Sequence, residues 1–379
     1  MKSFKNKIVA CALAFTLVGG AFAINPNVAE AANKPLQIKK VLNLPKDGVT
    51  PPKETFTFTF TKAGKNGGTE TDGMPEIPEV TAEYTSADDK EGTAAGKQLI
   101  KQTADALAGV TFEAAGQYTY TVKETKGDTK DMAYSQAEYL VSLFVKKVGE
   151  NYEVTEIQIK QTKNDKGETG TGEKTEYKPG TGDDLDGNNF KFENNYDKKG
   201  GNTNTNEGGD DITENDKKGF ALKKFITDDT PDANAEFTFK LTVTKPEGSK
   251  SDDTTFKYFI AGEGTEKTGT YGEAFDVILK HNQRIVFKEV LLGSKVAFDE
   301  TVAGAYTGSV ESTFNGTEGT GKEGIIGDQT GGNFAVYQNK TQTATGLLVD
   351  NLPFIALVAV AGAGIAFFVK NREEEEALA

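Results

Sequence analysis

Three residue types that can react with one another occur twice along the chain, in the same order: a lysine, a glutamate and an asparagine. The first triad is Lys40, Glu124 and Asn194, and the second triad is Lys224, Glu300 and Asn339. Each residue lies in a segment whose apolar side chains alternate as in a β-strand, and each shares the parity of those apolar side chains. Ionisable groups in a core are costly unless they interact with one another. A lysine amine can attack an asparagine carboxamide and expel ammonia, so the sequence predicts one Lys–Asn isopeptide bond per triad.

The parity is clearest around the two lysines. Leu36, Ile38 and Leu42 flank Lys40 at even positions, so Lys40 is predicted to face the core and Lys39 to face solvent. Lys224 has the same relation to its apolar neighbours. The competing interpretation is that these are strand-end residues whose charged groups reach water. Agreement at six positions in two copies favours the core.

Burial lowers the pKa of a lysine and raises that of a carboxyl group, which favours neutral forms of both. A neutral amine is a nucleophile, and a protonated glutamate can polarise the carboxamide and relay protons, so Glu124 and Glu300 are the predicted catalytic residues. Each bond would form once, as maturation and not turnover. It would join the first strand of a domain to the last.

The composition excludes several classes of function. The formal net charge is −14 and the pI is about 4.8, which argues against nucleic-acid binding. The chain has a single histidine, His281, and a single cysteine, Cys11, in the N-terminal apolar segment. The sequence contains no His, Cys, Asp or Glu residues at the spacing typical of a metal site, and no glycine-rich phosphate loop between a strand and a helix. The chain is therefore predicted not to be an enzyme and not to need a metal or cofactor.

Alternating apolar and polar residues between Gly, Asn and Asp turns predict an all-β protein. Strands of similar sequence begin near residues 36 and 220, which indicates an internal repeat. The predicted domains are residues 32–197 and 217–341, with a Gly/Asn/Asp/Lys-rich linker at 198–216 between them. Residues 161–189 are predicted to be an exposed insertion.

Both ends of the chain carry export signals. Residues 1–31 have the charged and apolar regions of a signal peptide, with cleavage favoured after Ala31 over a second site near Ala23. An apolar run at 352–369 is long enough to span a membrane as a helix. The residues before this run, Gln342 to Gly346, look like a variant of the sortase signal Q/E-x-P-T-G, which implies cleavage between Thr345 and Gly346. Residues 342–379 are therefore predicted to be a cell-wall sorting signal.

The chain resembles Gram-positive pilin subunits of the FctA/T-antigen type. The resemblance rests on the two lysine-bearing first strands, on the Y-x-V-x-E element that ends at Glu124, and on the F-x-N element that ends at Asn194. It implies two tandem immunoglobulin-like, CnaB-type β-sandwiches. It also implies that the Thr345 carboxyl is transferred to a lysine near the end of the first domain of the next subunit. Lys178 is the favoured acceptor, and Lys174 and Lys191 are alternatives.

The partners implied by the resemblance are a sortase, neighbouring pilin subunits, and peptidoglycan, reached directly or through a basal pilin. A host surface ligand is also compatible with it. The predicted function is a structural subunit of a sortase-assembled pilus, exported and anchored to the cell wall. The alternative is an ancillary pilin or wall-anchored adhesin, which would bind a host ligand without polymerising.

Overall fold

The structure is a computed structural model, and it describes residues 33–170, 172–180, 185–301 and 306–342. Its regular structure is β-strand apart from three short 3₁₀ turns, Ser86–Asp88, Leu185–Gly187 and Asp216–Lys218. The all-β prediction is confirmed. The predicted signal peptide, the sortase cleavage site and the apolar run at 352–369 lie outside the described residues. No helix in the described ranges has the length and apolar character needed to cross a membrane.

Residues 39–196 form two facing sheets. The ten strands are β1 (Lys39–Leu44), β2 (Glu54–Lys65), β3 (Val80–Tyr84), β4 (Lys97–Gln102), β5 (Gly116–Glu124), β6 (Met132–Ala133), β7 (Glu138–Val148), β8 (Asn151–Lys163), β9 (Thr175–Glu176) and β10 (Lys191–Tyr196). One sheet has the order β4-β1-β10-β6 and the other β3-β2-β5-β7-β8-β9. Phe58 of β2 packs on Phe192 of β10, with ring centroids 5.0 Å apart, so the apolar faces of the two sheets meet.

Residues 199–341 form a second pair of sheets. The strands are β11 (Lys199–Gly200), β12 (Ala221–Ile226), β13 (Phe237–Thr244), β14 (Thr255–Ile260), β15 (Glu266–Thr270), β16 (Ala274–Leu279), β17 (Arg284–Leu291), β18 (Lys295–Glu300), β19 (Tyr306–Phe314), β20 (Thr317–Gly319), β21 (Glu323–Ile325) and β22 (Phe334–Thr341). One sheet has the order β15-β14-β17-β12-β22-β19-β20, with β11 paired to β17, and the other β16-β13-β18-β21. Phe239 of β13 meets Tyr337 of β22 edge-on across the core.

Both halves place their first and last long strands side by side. β1 pairs with β10 in parallel, and β12 pairs with β22 in parallel. Lys40 lies opposite Phe192 and Lys224 lies opposite Tyr337, so each lysine is two residues out of register with its asparagine. An offset of two keeps both side chains on the same face of the sheet.

The prediction for Lys39 is wrong. All six residues of β1 are buried, and Lys39 is only 7% exposed. β1 is an inner strand of its sheet, and other parts of the chain cover both of its faces. Parity therefore identified the core face correctly but could not reveal that the opposite face is covered as well.

Residues 198–216, predicted as a linker, pack against the second pair of sheets. β11 pairs with β17, and Asp216 lies fully buried beside Arg284. Arg284 Nε donates to Asp216 Oδ2 at 2.9 Å, and Asn202 Nδ2 donates to Asp216 Oδ1 at 2.7 Å. A buried ion pair of this kind holds the segment in one place, because separating the partners leaves a buried charge unpaired.

The two halves of the chain meet at a polar contact that we call the domain junction. The Lys46 N–H donates to the Glu247 carbonyl at 2.9 Å, and Thr50 Oγ1 donates to Asp328 Oδ1 at 2.8 Å. Gly48 has φ = +75°, and a Cβ there would lie 2.6 Å from the Ile326 carbonyl oxygen. The close approach of the two backbones at the junction therefore requires glycine at 48.

Candidate functional site

The first triad comes together from both sheets of the first half of the chain. β1 carries Lys40 and the neighbouring β10 carries Asn194, while β5 of the facing sheet carries Glu124. Lys40 and Asn194 are fully buried, and Glu124 is 8% exposed. The predicted positions are therefore adjacent in space although they are far apart in sequence.

One carboxylate bridges the two groups that would react. Lys40 Nζ donates to Glu124 Oε2 at 2.6 Å, and Asn194 Nδ2 donates to Glu124 Oε1 at 2.6 Å. The carboxamide oxygen Asn194 Oδ1 accepts from the backbone N–H of Ser135 at 2.7 Å. Glu124 can thus take a proton from the amine and deliver one to the leaving nitrogen without moving away from either.

The second triad has the same arrangement. β12 and β22 carry Lys224 and Asn339, and β18 of the facing sheet carries Glu300. Lys224 Nζ donates to Glu300 Oε2 at 2.7 Å, and Asn339 Nδ2 donates to Glu300 Oε1 at 2.6 Å. Lys224 is fully buried and Asn339 is 1% exposed.

An aromatic ring covers each amine, and the sequence had not assigned these rings to the sites. Lys40 Nζ lies 4.3 Å from the centroid of Phe56, and Lys224 Nζ lies 4.1 Å from that of Phe237. Both phenylalanines begin a Phe-Thr-Phe sequence in the strand after the lysine strand. The occurrence of this sequence in both copies is the signal from which a role at the site could have been inferred.

The electrostatics shift both lysines and Glu124 toward the neutral forms that the reaction needs. Burial lowers the pKa of Lys40 to about 8, although Glu124 opposes the shift. Burial also raises the pKa of Glu124, with Lys40 acting in the opposite direction. In the second triad burial lowers the pKa of Lys224 to about 8. Moving one proton from amine to carboxylate is therefore much easier here than in water.

The acceptor candidates differ in their surroundings. Lys174 and Lys178 are exposed, and the Lys178 N–H donates to Asn189 Oδ1 at 2.8 Å, which fixes the backbone at that position. Lys191 is half-buried and forms an ion pair with Glu193.

The residues of the predicted sortase cleavage, Thr345 and Gly346, lie outside the described residues. No group of three or more His, Cys, Asp or Glu side chains suited to a metal occurs within the described ranges.

Two family models match the chain. Residues 36–197 match FctA, described as a Spy0128-like isopeptide containing domain. Residues 218–341 match a domain of unknown function, DUF7601. The comparison with curated proteins found no match.

The solved structures that resemble the chain include pilus proteins. The major pilin protein (T3.2) from Streptococcus pyogenes serotype GAS13637 is 18% identical over 81% of this chain and 98% of its own, with a TM-score of 0.35. Another major pilin from Streptococcus pyogenes is 18% identical over 82% of this chain and 100% of its own, also with a TM-score of 0.35. The pilus-presented adhesin Spy0125 (Cpa) is 10% identical over 81% of this chain and 100% of its own, with a TM-score of 0.29.

The TM-scores are too low to assign function, so the family model carries the assignment. It spans both strands of the first triad's parallel pair and the strand that carries Glu124. Residues 36–197, which contain the whole first triad, therefore form an FctA-type domain of the Spy0128-like isopeptide containing family.

Proposed function

We propose that the chain is a structural subunit of a covalent pilus on a Gram-positive cell surface, and that each of its two domains, residues 32–197 and 217–341, is stapled by a Lys–Asn isopeptide bond. The observation that carries the proposal is the pair of buried triads, each with one carboxylate bridging an amine and a carboxamide. The FctA family consists of structural proteins, which agrees with the prediction that the chain is not an enzyme.

The positions of the triads in the fold explain the benefit of the bonds. Each bond would join the two parallel strands through which the chain enters and leaves a domain. Tension applied between the two ends of the chain would then load a covalent bond in each domain instead of ladder hydrogen bonds, each of which contributes only about 1 kcal/mol net. Closing a loop of this length also stabilises a domain, by analogy with disulfides, by roughly 2–5 kcal/mol.

The fold has the polarity that head-to-tail joining requires. Lys178 follows Tyr177, whose hydroxyl accepts from the Gln37 N–H at 3.0 Å. Gln37 lies just before the start of β1, whereas the domain junction follows the end of β1, so Lys178 lies at the end of the first domain that is farther from the junction. β22 runs parallel to β12, away from the junction, and ends at Thr341. The favoured acceptor and the chain end that leads to Thr345 therefore lie at opposite ends of the subunit, as linear polymerisation by a sortase needs.

The first experiment is the intact mass of the predicted mature chain, residues 32–345. A deficit of two ammonia molecules is expected, falling to one in Glu124→Ala and one in Glu300→Ala. Glu83→Ala and Glu311→Ala replace exposed glutamates in the same two domains and should retain the full deficit. A wild-type chain whose mass equals the value calculated from its sequence, with no loss of ammonia, refutes the proposal that the domains contain isopeptide bonds.

Assembly has its own test, separate from the staples. Wall extracts of cells expressing the full chain with its sortase should contain an SDS-resistant ladder of regularly increasing mass. A single anchored band would instead identify an ancillary pilin or adhesin that does not polymerise.

A further inference from the structure

The hydrogen bonding of the two triads differs at one atom, the carboxamide oxygen of the asparagine. In the first triad, Asn194 Oδ1 accepts from the Ser135 N–H at 2.7 Å, and Ser135 itself is only 6% exposed. In the second triad, Asn339 Oδ1 is buried and has no hydrogen-bond partner in the part of the chain that the structure describes. Lysine, glutamate and leaving nitrogen are otherwise arranged alike.

That oxygen is where negative charge develops in the proposed reaction. As the bond from lysine Nζ to asparagine Cγ forms, the C=O electron pair moves onto Oδ1. When the C=O re-forms, the bond from Cγ to Nδ2 breaks. The proton that the amine loses passes through the glutamate to Nδ2, which leaves as ammonia, so lysine and asparagine yield one amide and one NH₃. A fixed N–H donor at a buried oxyanion typically accelerates such a step by about 10²–10³.

Asp165 holds the Ser135 N–H in place. Ser135 Oγ donates to Asp165 Oδ1 at 2.6 Å, and the same oxygen accepts from the Glu193 N–H at 2.8 Å. The Asp165 carbonyl also accepts from the Gln136 N–H at 3.0 Å. Asp165 thus ties the Ser135 turn to β10, one residue before Asn194. It contacts neither reacting group, so its role is to position the donor.

The charge of Asp165 does not account for its presence at the site. Its negative field raises the pKa of Lys40, which favours the charged, unreactive amine, but it also raises the pKa of Glu124, which favours the protonated, reactive acid. The field therefore acts in opposite directions on the two members of the pair, whereas the hydrogen bonds of Asp165 act on the geometry of the donor. The two effects can be separated, because asparagine offers a carbonyl oxygen at the same place without the charge.

We propose that the Ser135 backbone N–H is the oxyanion donor of the first triad, positioned by Asp165, and that the second triad reacts without such a donor. The inference rests on the proposed isopeptide chemistry. Its consequence is kinetic: the first bond should form on the order of 10² times faster than the second.

The test measures both rates on newly made protein. Residues 32–345 are synthesised in a short cell-free pulse and chased at neutral pH, and ammonia loss is followed by intact mass. Glu300→Ala leaves only the first bond to form and Glu124→Ala only the second, so each rate is read separately. If neither bond forms, the proposed function fails; if both form at rates within about threefold of each other, the donor assignment alone fails.

Substitutions at Asp165 test its positioning role. Asp165→Ala should slow the first bond by roughly tenfold or more and leave the second bond unchanged as an internal standard, whereas Asp165→Asn should restore the rate. Asp128→Ala, at an exposed position of the same domain, is the matched control. An Asp165→Asn chain as slow as Asp165→Ala, or an Asp165→Ala chain at the wild-type rate, overturns the positioning role.

The N–H itself is tested by replacing the amide at Ser135 with an ester, through incorporation of the matching α-hydroxy acid. This removes one donor hydrogen and retains every side chain. The first bond should then form on the order of 10² times more slowly in a chain with an unchanged near-ultraviolet circular dichroism spectrum. A first bond that forms at the wild-type rate in that chain contradicts the donor role, even if Asp165→Ala fails to fold.

Discussion

Removing the staple of the second domain should make that domain extensible. Lys224 and Asn339 lie on neighbouring strands, and the bond between them would bypass all the chain in between. Glu300→Ala should leave the domain folded but unlinked, because the strands, their pairing and most of the core do not involve the glutamate side chain. Under tension, the unlinked domain can unfold and lengthen.

The length released follows from the positions of the two residues. Roughly 115 residues lie between them, and at about 3.5 Å per extended residue they release about 400 Å. The first domain, unlinked by Glu124→Ala, should release roughly 155 residues, or about 540 Å. Because the bonded residues are adjacent in the folded state, almost the whole length appears as extension. The difference between the two steps identifies which domain has opened.

Single-molecule force spectroscopy on residues 32–345, held at both chain ends, provides the measurement. The wild-type chain should show neither step, and Glu300→Ala only the shorter one. Glu311→Ala should behave as wild type. Two results refute the reasoning: a step near 400 Å in a chain whose mass confirms both bonds, or the absence of that step in an unlinked Glu300→Ala chain.

Three further predictions concern pH, assembly and the packed linker. The rate of bond formation in the first triad should be bell-shaped in pH, because the reaction needs a neutral Lys40 amine and a protonated Glu124 at the same time. The rate should fall at acid pH, where the amine is protonated, and above the lysine pKa of about 8, where the pair has lost the proton with which Glu124 polarises the carboxamide. A mass-monitored rate that keeps rising above pH 9 excludes this proton requirement. Lys178→Arg should abolish the SDS-resistant ladder in cells while Lys174→Arg preserves it; polymers formed by Lys178→Arg would move the acceptor elsewhere. Arg284→Met should destabilise the second domain by roughly 3–5 kcal/mol in urea denaturation of the unlinked Glu300→Ala chain, because Asp216 keeps a buried unpaired charge, and adding Asp216→Leu should recover much of the loss. If the double variant is no more stable than Arg284→Met, the buried charge is not the cause.

The triads could be predicted from sequence because their signal is local. Side-chain parity within a strand depends only on chain geometry, so three short segments sufficed to place Lys40, Glu124 and Asn194 on the core face. The repetition of the pattern supported the pairing of first and last strands. The all-β fold followed from the same alternation.

Other features depend on contacts between distant segments, which leave no periodic trace. Asp165 lies in a Gly- and Lys-rich stretch that was predicted to be an exposed insertion, yet its carboxylate reaches Ser135, thirty positions earlier in the chain. The segment at 198–216 has the composition of a flexible linker, but Asp216 finds Arg284 across a separation of 68 residues. In both cases one buried or shared hydrogen-bond partner holds a residue of a stretch whose composition predicts an exposed insertion or a linker.

The two staples would carry load differently in a polymer. With Lys178 as the acceptor, force enters the first domain at Lys178 and follows the chain directly through β10 to the second domain, so the bond at Asn194 lies beside the path of tension. That bond would instead attach the rest of the first domain to β10, the strand of this domain that carries the tension. In the second domain the path runs from Lys224 across the bond to Asn339, so this staple bears the full tension. The slower triad of our inference would therefore be the one that makes the shaft inextensible, and a subunit joined before its second bond has formed would be the point at which a pilus stretches.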